Sequence, residues 1–503
     1  MTQQNDTTTL LNEADSGMLI AQASGGVGSW QLLSYTCPIN PVHGALLRTG
    51  RVLFISGSGN DPNNVNEPKG SAVWDASAGF VSRPTTPVDA AGFPLDLFCV
   101  GHSFLPDGRL ICAGGTDQYD PFHGLPAAVI FDPITEQWVR EANQPDGARW
   151  YPTLITLGDG RVVAMSGLDE NGGLDTYPEV YSTTSGWAYF SGPSTNWAYP
   201  TLRFPMYLHL FLMQDGRVFY SGAYFESTGV SAHIITVPQI GQPFTQTPVG
   251  GLQDADYGDQ AASVMLPPAQ DQKVMIIGGG NSFYGQTTQR VNIVDLKAST
   301  PTYTPAASLN FARMHHNAVL LPDRTVFVCN GCAQGENVNQ GTPVAEIYNP
   351  STNTWTVAAT ASVIRAYHAL ALLLPDGRVL TAGGNPNRGV EERQLEIYSP
   401  PYMSKTRPVI SSAPQTVSYG GTITIGTSQA KNIKWLSLIK PMATTHCVDT
   451  EQRLVDVPIT SKTSTSLKAT VTTNRNIAPP GYYMLFITDN NNVPSVAKWI
   501  KLA

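Results

Sequence analysis

The sequence predicts an all-β chain: a seven-fold repeat of small antiparallel sheets followed by one separate β-sandwich. Three observations carry that expectation. Charged residues make up only 14% of the 503 residues, against about a quarter in an average soluble domain, while 46 glycines and 38 prolines supply turns. Seven segments share one pattern of a basic or polar residue, an apolar run and a glycine: RVLFISG from Arg51, RLICAGG from Arg109, RVVAMSG from Arg161, RVFYSG from Arg217, KVMIIGG from Lys273, TVFVCNG from Thr325 and RVLTAGG from Arg378. Their starts fall 52 to 58 residues apart, and the pattern stops after Ser399-Pro400-Pro401. A period near fifty built of short strands is the kelch signature, one four-stranded blade per repeat, and seven blades close a ring that protects the strand edges.

Taken in order, residues 1–33 are polar and are expected to be partly disordered or to add a strand that closes the ring. Residues 34–401 read as the seven-bladed kelch propeller. In the seventh repeat an apolar run, 369–374, enters the turn Pro375-Asp376-Gly377-Arg378 and returns along 379–384, as a hairpin does. Later strands of the repeats are legible at 127–131, 179–181, 345–348 and 395–398, and Trp138, Trp187 and Trp355 follow three of them as wedges between blades. Residues 402–503 carry β-branched alternation at 422–425, 467–472 and 482–487 between Gly, Asn and Pro turns, which predicts an immunoglobulin-like β-sandwich.

A formal charge of −8 without any basic run gives no nucleic-acid or acidic-membrane footprint. No stretch reaches the length of a membrane span, and the N-terminus lacks a positive region followed by an apolar core. Six scattered cysteines do not form a disulfide scaffold. The Cys329-Asn330-Gly331-Cys332 run has no second pair at zinc-site spacing, so a structural role is expected for it.

Because the blades are copies, residues at one register surround one axis. Ten residues before each return strand stand Cys99, Tyr151, Tyr207, His315 and His368, with Tyr367 beside the last; extra residues at 267–272 prevent the count in the fifth repeat. Imidazoles, phenols and a thiol around one axis suit a transition metal, copper in particular. Each residue also has an ordinary reading as core: a small buried thiol, a packed phenol, a hydrogen-bonded imidazole.

The ordered set Phe98-Cys99, Ala148-Arg149-Trp150-Tyr151, Arg365-Ala366-Tyr367-His368, Thr445-His446 with Asp449, Gln452 and Arg453, Gly481 to Phe486, and Val493-Pro494-Ser495-Val496 resembles the copper radical oxidases typified by galactose oxidase and glyoxal oxidase. The resemblance covers most of the chain after the first few dozen residues. It implies a thioether between Cys99 and Tyr151, a copper ion held by Tyr151, His368 and His446 with Tyr367 axial, and a loop of the tail domain reaching into the channel. It implies catalytic roles for Cys99, Tyr151 and Tyr367: a radical on the cross-linked Tyr151 takes hydrogen from the substrate carbon, Tyr367 takes the hydroxyl proton, and dioxygen becomes hydrogen peroxide. It also implies a secreted or cell-surface location, although no export signal is visible, and a chain acting as a monomer on a small aldehyde or alcohol.

Departures point to the glyoxal oxidase branch. The segment Ser166 to Asn171 lacks the tryptophan that covers the radical in the galactose oxidase branch, leaving Trp150, Phe283 and Tyr284 as candidate covers. Only about fifty residues precede the first repeat strand, too few for the sugar-binding domain of galactose oxidase. Arg203, four residues before Tyr207, is a candidate substrate contact, with glyoxal or glycolaldehyde expected to be better substrates than galactose. Two other classes compete: a kelch interaction scaffold, which needs no such residue set, and a hydrolase or lyase, for which Asp254, Asp256 and Asp259 are the available carboxylates.

Overall fold

The computed structural model describes residues 26–189, 204–225, 230–237, 245–281 and 285–503. Among them every regular element is a β-strand or a single 3-10 turn, so the all-β expectation holds. The repeats become sheets of antiparallel neighbours: the second, for example, runs Val100–Phe104, Leu110–Gly114, Ala128–Asp132, Gln137–Arg140 in chain order. All seven repeats form such sheets. The hairpin turns explain why: Gly50, Gly108, Gly160, Gly216 and Gly377 sit at φ between +84° and +90°, a conformation that costs a residue with Cβ but not glycine. In four of these turns, all but that of Gly50, an aspartate side chain accepts the backbone N–H two residues on, as Asp376 does from Arg378 at 2.9 Å.

The first strands of successive sheets pack on one another, second on third, third on fourth, fifth on sixth, sixth on seventh and seventh on first. Within three repeats a buried arginine ties the segment leading into the first strand to later strands of its own sheet. Arg149 donates to Glu179 at 2.8 Å, Arg313 to Glu346 at 3.0 Å, and Arg365 to the carbonyls of Gly383 and Gln394 at 2.8 and 2.6 Å. Each arginine lies two residues before Tyr151, His315 or Tyr367, so one device fixes the approach to all three. Its cations are paired or hydrogen-bonded, as buried charges must be.

Ser29–Thr36 pairs antiparallel with Gln394–Ser399 and supplies the outer strand of the seventh sheet. This is the added strand expected as one alternative for the segment before residue 34, and it crosses the boundary expected there; only Trp30 and Leu33 of it are buried, and the rest of the strand faces outward or is partly covered. The chain after residue 402 forms a five-stranded and a three-stranded sheet that share apolar side chains such as Ile425, Leu438, Leu467 and Ile500. From the five-stranded sheet, between Ile433–Ile439 and Leu454–Asp456, a finger extends back into the seven sheets. Its strand Ala443–Thr445 pairs with His43–Leu46, extending the first sheet to six strands. The buried Lys440–Glu451 ion pair and Gln452, which donates to Ala318 O at 2.8 Å and accepts from Leu320 N at 2.9 Å, fasten the finger. No helix among the described residues is long and apolar enough to cross a membrane.

Candidate metal centre

The register residues share a backbone conformation that non-glycine residues rarely adopt. Cys99, Tyr151, Tyr207, His315 and His368 have φ of +65°, +63°, +41°, +58° and +63°. The fifth repeat, which the sequence count could not align, contributes Gln260 at +50°; its hairpin is lengthened by the 3-10 turn Ala269–Asp271. The slots are laced together: Tyr151 N donates to Cys99 O, Tyr207 N to Tyr151 O and His315 N to Gln260 O, each at 3.0 Å. Local strain of this kind, on the order of 1 kcal/mol or more per residue, persists only where the surroundings impose it.

From the tip of the finger comes His446, also left-handed at +53°. It meets the register residues at the phenol of Tyr151, whose oxygen lies 2.7 Å from that of Tyr367, 2.9 Å from His446 Nε2 and 3.3 Å from His368 Nε2. The other ring nitrogens are committed. His368 Nδ1 faces Asn385 Oδ1 at 2.7 Å, and the amide nitrogen of Asn385 donates to Val390 O at 2.9 Å, which fixes the amide so that Nδ1 carries the proton. His446 Nδ1 faces Thr445 Oγ1 at 2.8 Å, and that hydroxyl donates to Val42 O at 3.0 Å, so the same tautomer follows. Both Nε2 atoms therefore present lone pairs to the phenols.

The proton count tests whether a cation fits. Three close contacts radiate from the Tyr151 oxygen, and only two phenolic protons exist to fill them, so one lone pair faces another. A bound cation removes that conflict. Two imidazoles and two phenols are the donor set that imidazole-binding transition metals such as copper take. Burial keeps the histidines neutral, lowering His368 to about 3 and His446 well below its ordinary value, and burial with the neighbouring Cys99, Tyr367 and Tyr207 raises Tyr151 well above the usual phenol range. A phenolate at Tyr151 thus requires a positive neighbour. Among the described residues no group of three or more His, Cys, Asp or Glu is gathered to hold a metal, so the two phenols are essential to this donor set.

Cys99 is buried, unpaired by any disulfide, and belongs to the same buried cluster as Tyr151. The Tyr151 ring is enclosed: Trp150 stacks on one face at 3.9 Å and 6°, Tyr207 on the other at 4.4 Å and 19°, and Phe225 meets it edge-on at 4.6 Å. Phe122 in turn stacks on Trp150 at 4.2 Å, and the indole nitrogen donates to Thr116 Oγ1 at 3.1 Å. Of the three candidate covers, Trp150 is on the ring; Phe283 and Tyr284 lie outside the described residues, as does Arg203. A cleft of about 530 Å³ opens above, with Tyr151 and Tyr367 in its floor and Phe122, Phe225 and Arg388 in its walls.

Sequence reasoning missed Asn385, Thr116, Gln260, Phe122 and Arg388. A signal existed for two of them: Thr116 and Asn385 each directly follow the Gly-Gly pair of their repeat and tie a residue of the centre. His315 shares the register but presents its ring to Tyr367, centroids 5.4 Å apart, and leaves Nε2 without a partner. Cys329 and Cys332 are buried and unpaired, burial raising both to about 12, and Cys332 donates to Gly335 O at 2.7 Å. Of the alternative carboxylates, Asp254 accepts from Thr288 Oγ1 at 3.1 Å, and neither it nor Asp256 nor Asp259 lines the cleft.

Comparisons with known proteins agree with this arrangement. The family model described as the glyoxal oxidase N-terminus matches residues 81–402, and the galactose oxidase-like early set domain matches 407–502. A galactose oxidase of Gibberella zeae is 31% identical, over 95% of this chain and 71% of its own length. The aldehyde oxidase GLOX of Vitis pseudoreticulata is 25% identical, over 94% of this chain and 97% of its own. In fold, the chain is similar to a fungal alcohol oxidase of the AA5 family, solved in complex with copper, at a TM-score of 0.79 and 24% identity, covering 95% of this chain and all of that one. The chain belongs to the glyoxal oxidase and galactose oxidase family, the copper radical oxidases.

Proposed function

We propose that this chain oxidises primary alcohols or hydrated small aldehydes with dioxygen, giving the aldehyde or acid and one hydrogen peroxide per turnover. The observation that carries the reading is the meeting of both phenols and both Nε2 atoms at the Tyr151 oxygen, within 3.3 Å, beside the Cys99 thiol. Tyr151, His368, His446 and Tyr367 would hold copper, which when bound supplies one oxidising equivalent and acidifies a coordinated hydroxyl. Tyr151 supplies the other equivalent. A sulfur–carbon bond from Cys99 Sγ to the Tyr151 ring, formed with loss of two hydrogens to dioxygen, makes the phenol easier to oxidise.

The remaining steps belong to side chains. Tyr367, at the cleft floor, takes the substrate hydroxyl proton, and the Tyr151 radical oxygen takes the hydrogen atom from the adjacent carbon. Trp150 and Tyr207 keep water from the two faces of the Tyr151 ring. In this reading the seven sheets, residues 34–401 with the Ser29–Thr36 strand, are the blades of a kelch propeller, and 402–503 is the immunoglobulin-like sandwich that donates His446. Small substrates such as glyoxal or glycolaldehyde are proposed over galactose, with Arg203 as a substrate contact and a secreted or cell-surface location.

Two measurements test this. Peptide mapping of copper-loaded, aerated protein should give the Cys99 and Tyr151 peptides linked with two hydrogens lost. Peroxide release from a panel of aldehydes and alcohols should then appear only with copper. Free Cys99 and unmodified Tyr151 after loading would remove the radical from the account, and galactose outperforming every small aldehyde would overturn the substrate assignment.

A further inference from the structure

We propose that Asp120 and Arg388 are positioning residues whose ion pair latches a lip of the cleft onto the ring stack covering Tyr151. The lip is the hairpin formed by Thr116–Gln118 and His123–Gly124, and it carries Phe122. Phe122 stacks on Trp150, and Trp150 on Tyr151, so the pose of the lip reaches the phenol through two ring contacts of 4.2 and 3.9 Å. Only three residues of one strand and two of the other build the lip, and such a hairpin is not stable by itself.

Arg388 provides an anchor from across the cleft. Its guanidinium forks onto the Asp120 carboxylate, Nη1 to Oδ2 at 2.6 Å and Nη2 to Oδ1 at 3.2 Å, and it lies 5.3 Å from the ring centre of Tyr119 and 5.4 Å from that of Phe122. A second anchor is the Tyr119 phenol on Ser58 Oγ at 2.7 Å. Arg388 stands three residues after Asn385, the residue that fixes the His368 tautomer. One loop therefore orients a metal-binding imidazole and clamps the ring cover. The pair is solvent-facing, its side chains 41% and 61% exposed, so salt screens it.

The inference rests on the oxidase reading for its consequence and on the lip geometry for its premise, and two readouts separate these. In metal-free full-length protein, hydroxyl-radical labelling of Trp150 followed by mass spectrometry reports the cover directly. In copper-loaded, oxidised protein, the decay of the radical absorption without substrate reports its effect. Asp120→Asn and Arg388→Gln should each raise both by about five- to tenfold, the range of a lost surface ion pair together with a cation–π contact. The double variant should do no more than either single, Arg388→Lys should recover part of the loss, and about 1 M salt should move the wild type towards the variants while leaving them unchanged. Wild-type labelling in both single variants, or additive effects in the double, would overturn the latch. An absence of radical absorption in loaded wild type would count against the oxidase reading, and the labelling arm would still decide the latch.

Discussion

Two sets of slots have the same backbone and different fates. Cys99, Tyr151 and His368 on one side, and Tyr207, Gln260 and His315 on the other, all occupy left-handed slots at the start of the first strand of a sheet. On the first side the finger arrives with His446, and the hydrogen bonds that His368 and His446 donate from Nδ1 to Asn385 Oδ1 and Thr445 Oγ1 set which nitrogen faces inward. On the second, Tyr207 is tied to Val100 O at 2.8 Å, while Gln260 Nε2 and His315 Nε2 are buried without partners. The finger reaches this side too, through Cys447 Sγ on Gln260 O at 3.4 Å, so the difference teaches that the repeat makes slots, and that a centre forms where the finger brings a ligand nitrogen and polar supports orient it.

The largest expected effects test that asymmetry. His446→Ala or His368→Ala should abolish copper retention and the radical absorption, whereas His315→Phe, on the same register, should leave one copper per chain and oxidase activity within about threefold, as a packing change with no ligand lost. Equal loss in all three variants, by metal analysis, would break the comparison. Next in size, Asn385→Ala should lower copper affinity about 10- to 100-fold, because the His368 ring loses its orientation while keeping its donor atom. Copper titration of the purified variant checks this.

A smaller effect concerns pH. Burial lowers His315 from 6.5 to about 3, so the unfolded chain binds a proton that the folded chain does not between those values. Stability therefore falls as pH drops below 6.5, and it is recovered as pH rises. In metal-free protein, moving from pH 7 to pH 5 should destabilise the wild type by about 2 kcal/mol more than His315→Phe, as read from denaturant midpoints. A parallel loss in both would place the burden on other groups. The smallest effect is expected at Cys329→Ser with Cys332→Ser: the thiols are buried away from the cleft, and peroxide release per copper should be unchanged in protein that folds.

Much of this was legible because a propeller-like repeat writes itself locally. Glycine at the third position of the Pro-Asp-Gly-Arg turn of the seventh repeat, alternating apolar residues and a fixed count back from the return strand are properties of neighbouring residues. They led to Tyr151, His368 and Cys99 without any long-range information. The count failed in the fifth repeat, where Ala269–Asp271 lengthens the hairpin and Gln260 takes the slot. The strand at Ser29–Thr36 was legible only as an alternative to disorder, because an outer strand covered on one face buries too little to leave a clear apolar pattern. Arg388 had no signal: its partner, Asp120, is 268 residues away.

By itself the sequence determined the all-β class, the seven sheets, the change of pattern after residue 401, and, with the family motifs, which side chains could carry the chemistry. Those follow from backbone preferences and turn chemistry acting over a few residues. Tertiary structure alone decided the distance at which His446 meets the phenol of Tyr151, 295 residues earlier, that Asn385 and Thr445 choose the tautomers, and that Trp150, of the candidate covers, stacks on the ring opposite Tyr207. Each of these requires the finger, or two different sheets, to be packed to within a hydrogen bond or a ring contact. No local pattern encodes such a distance, because it is set by every layer of side chains between the partners.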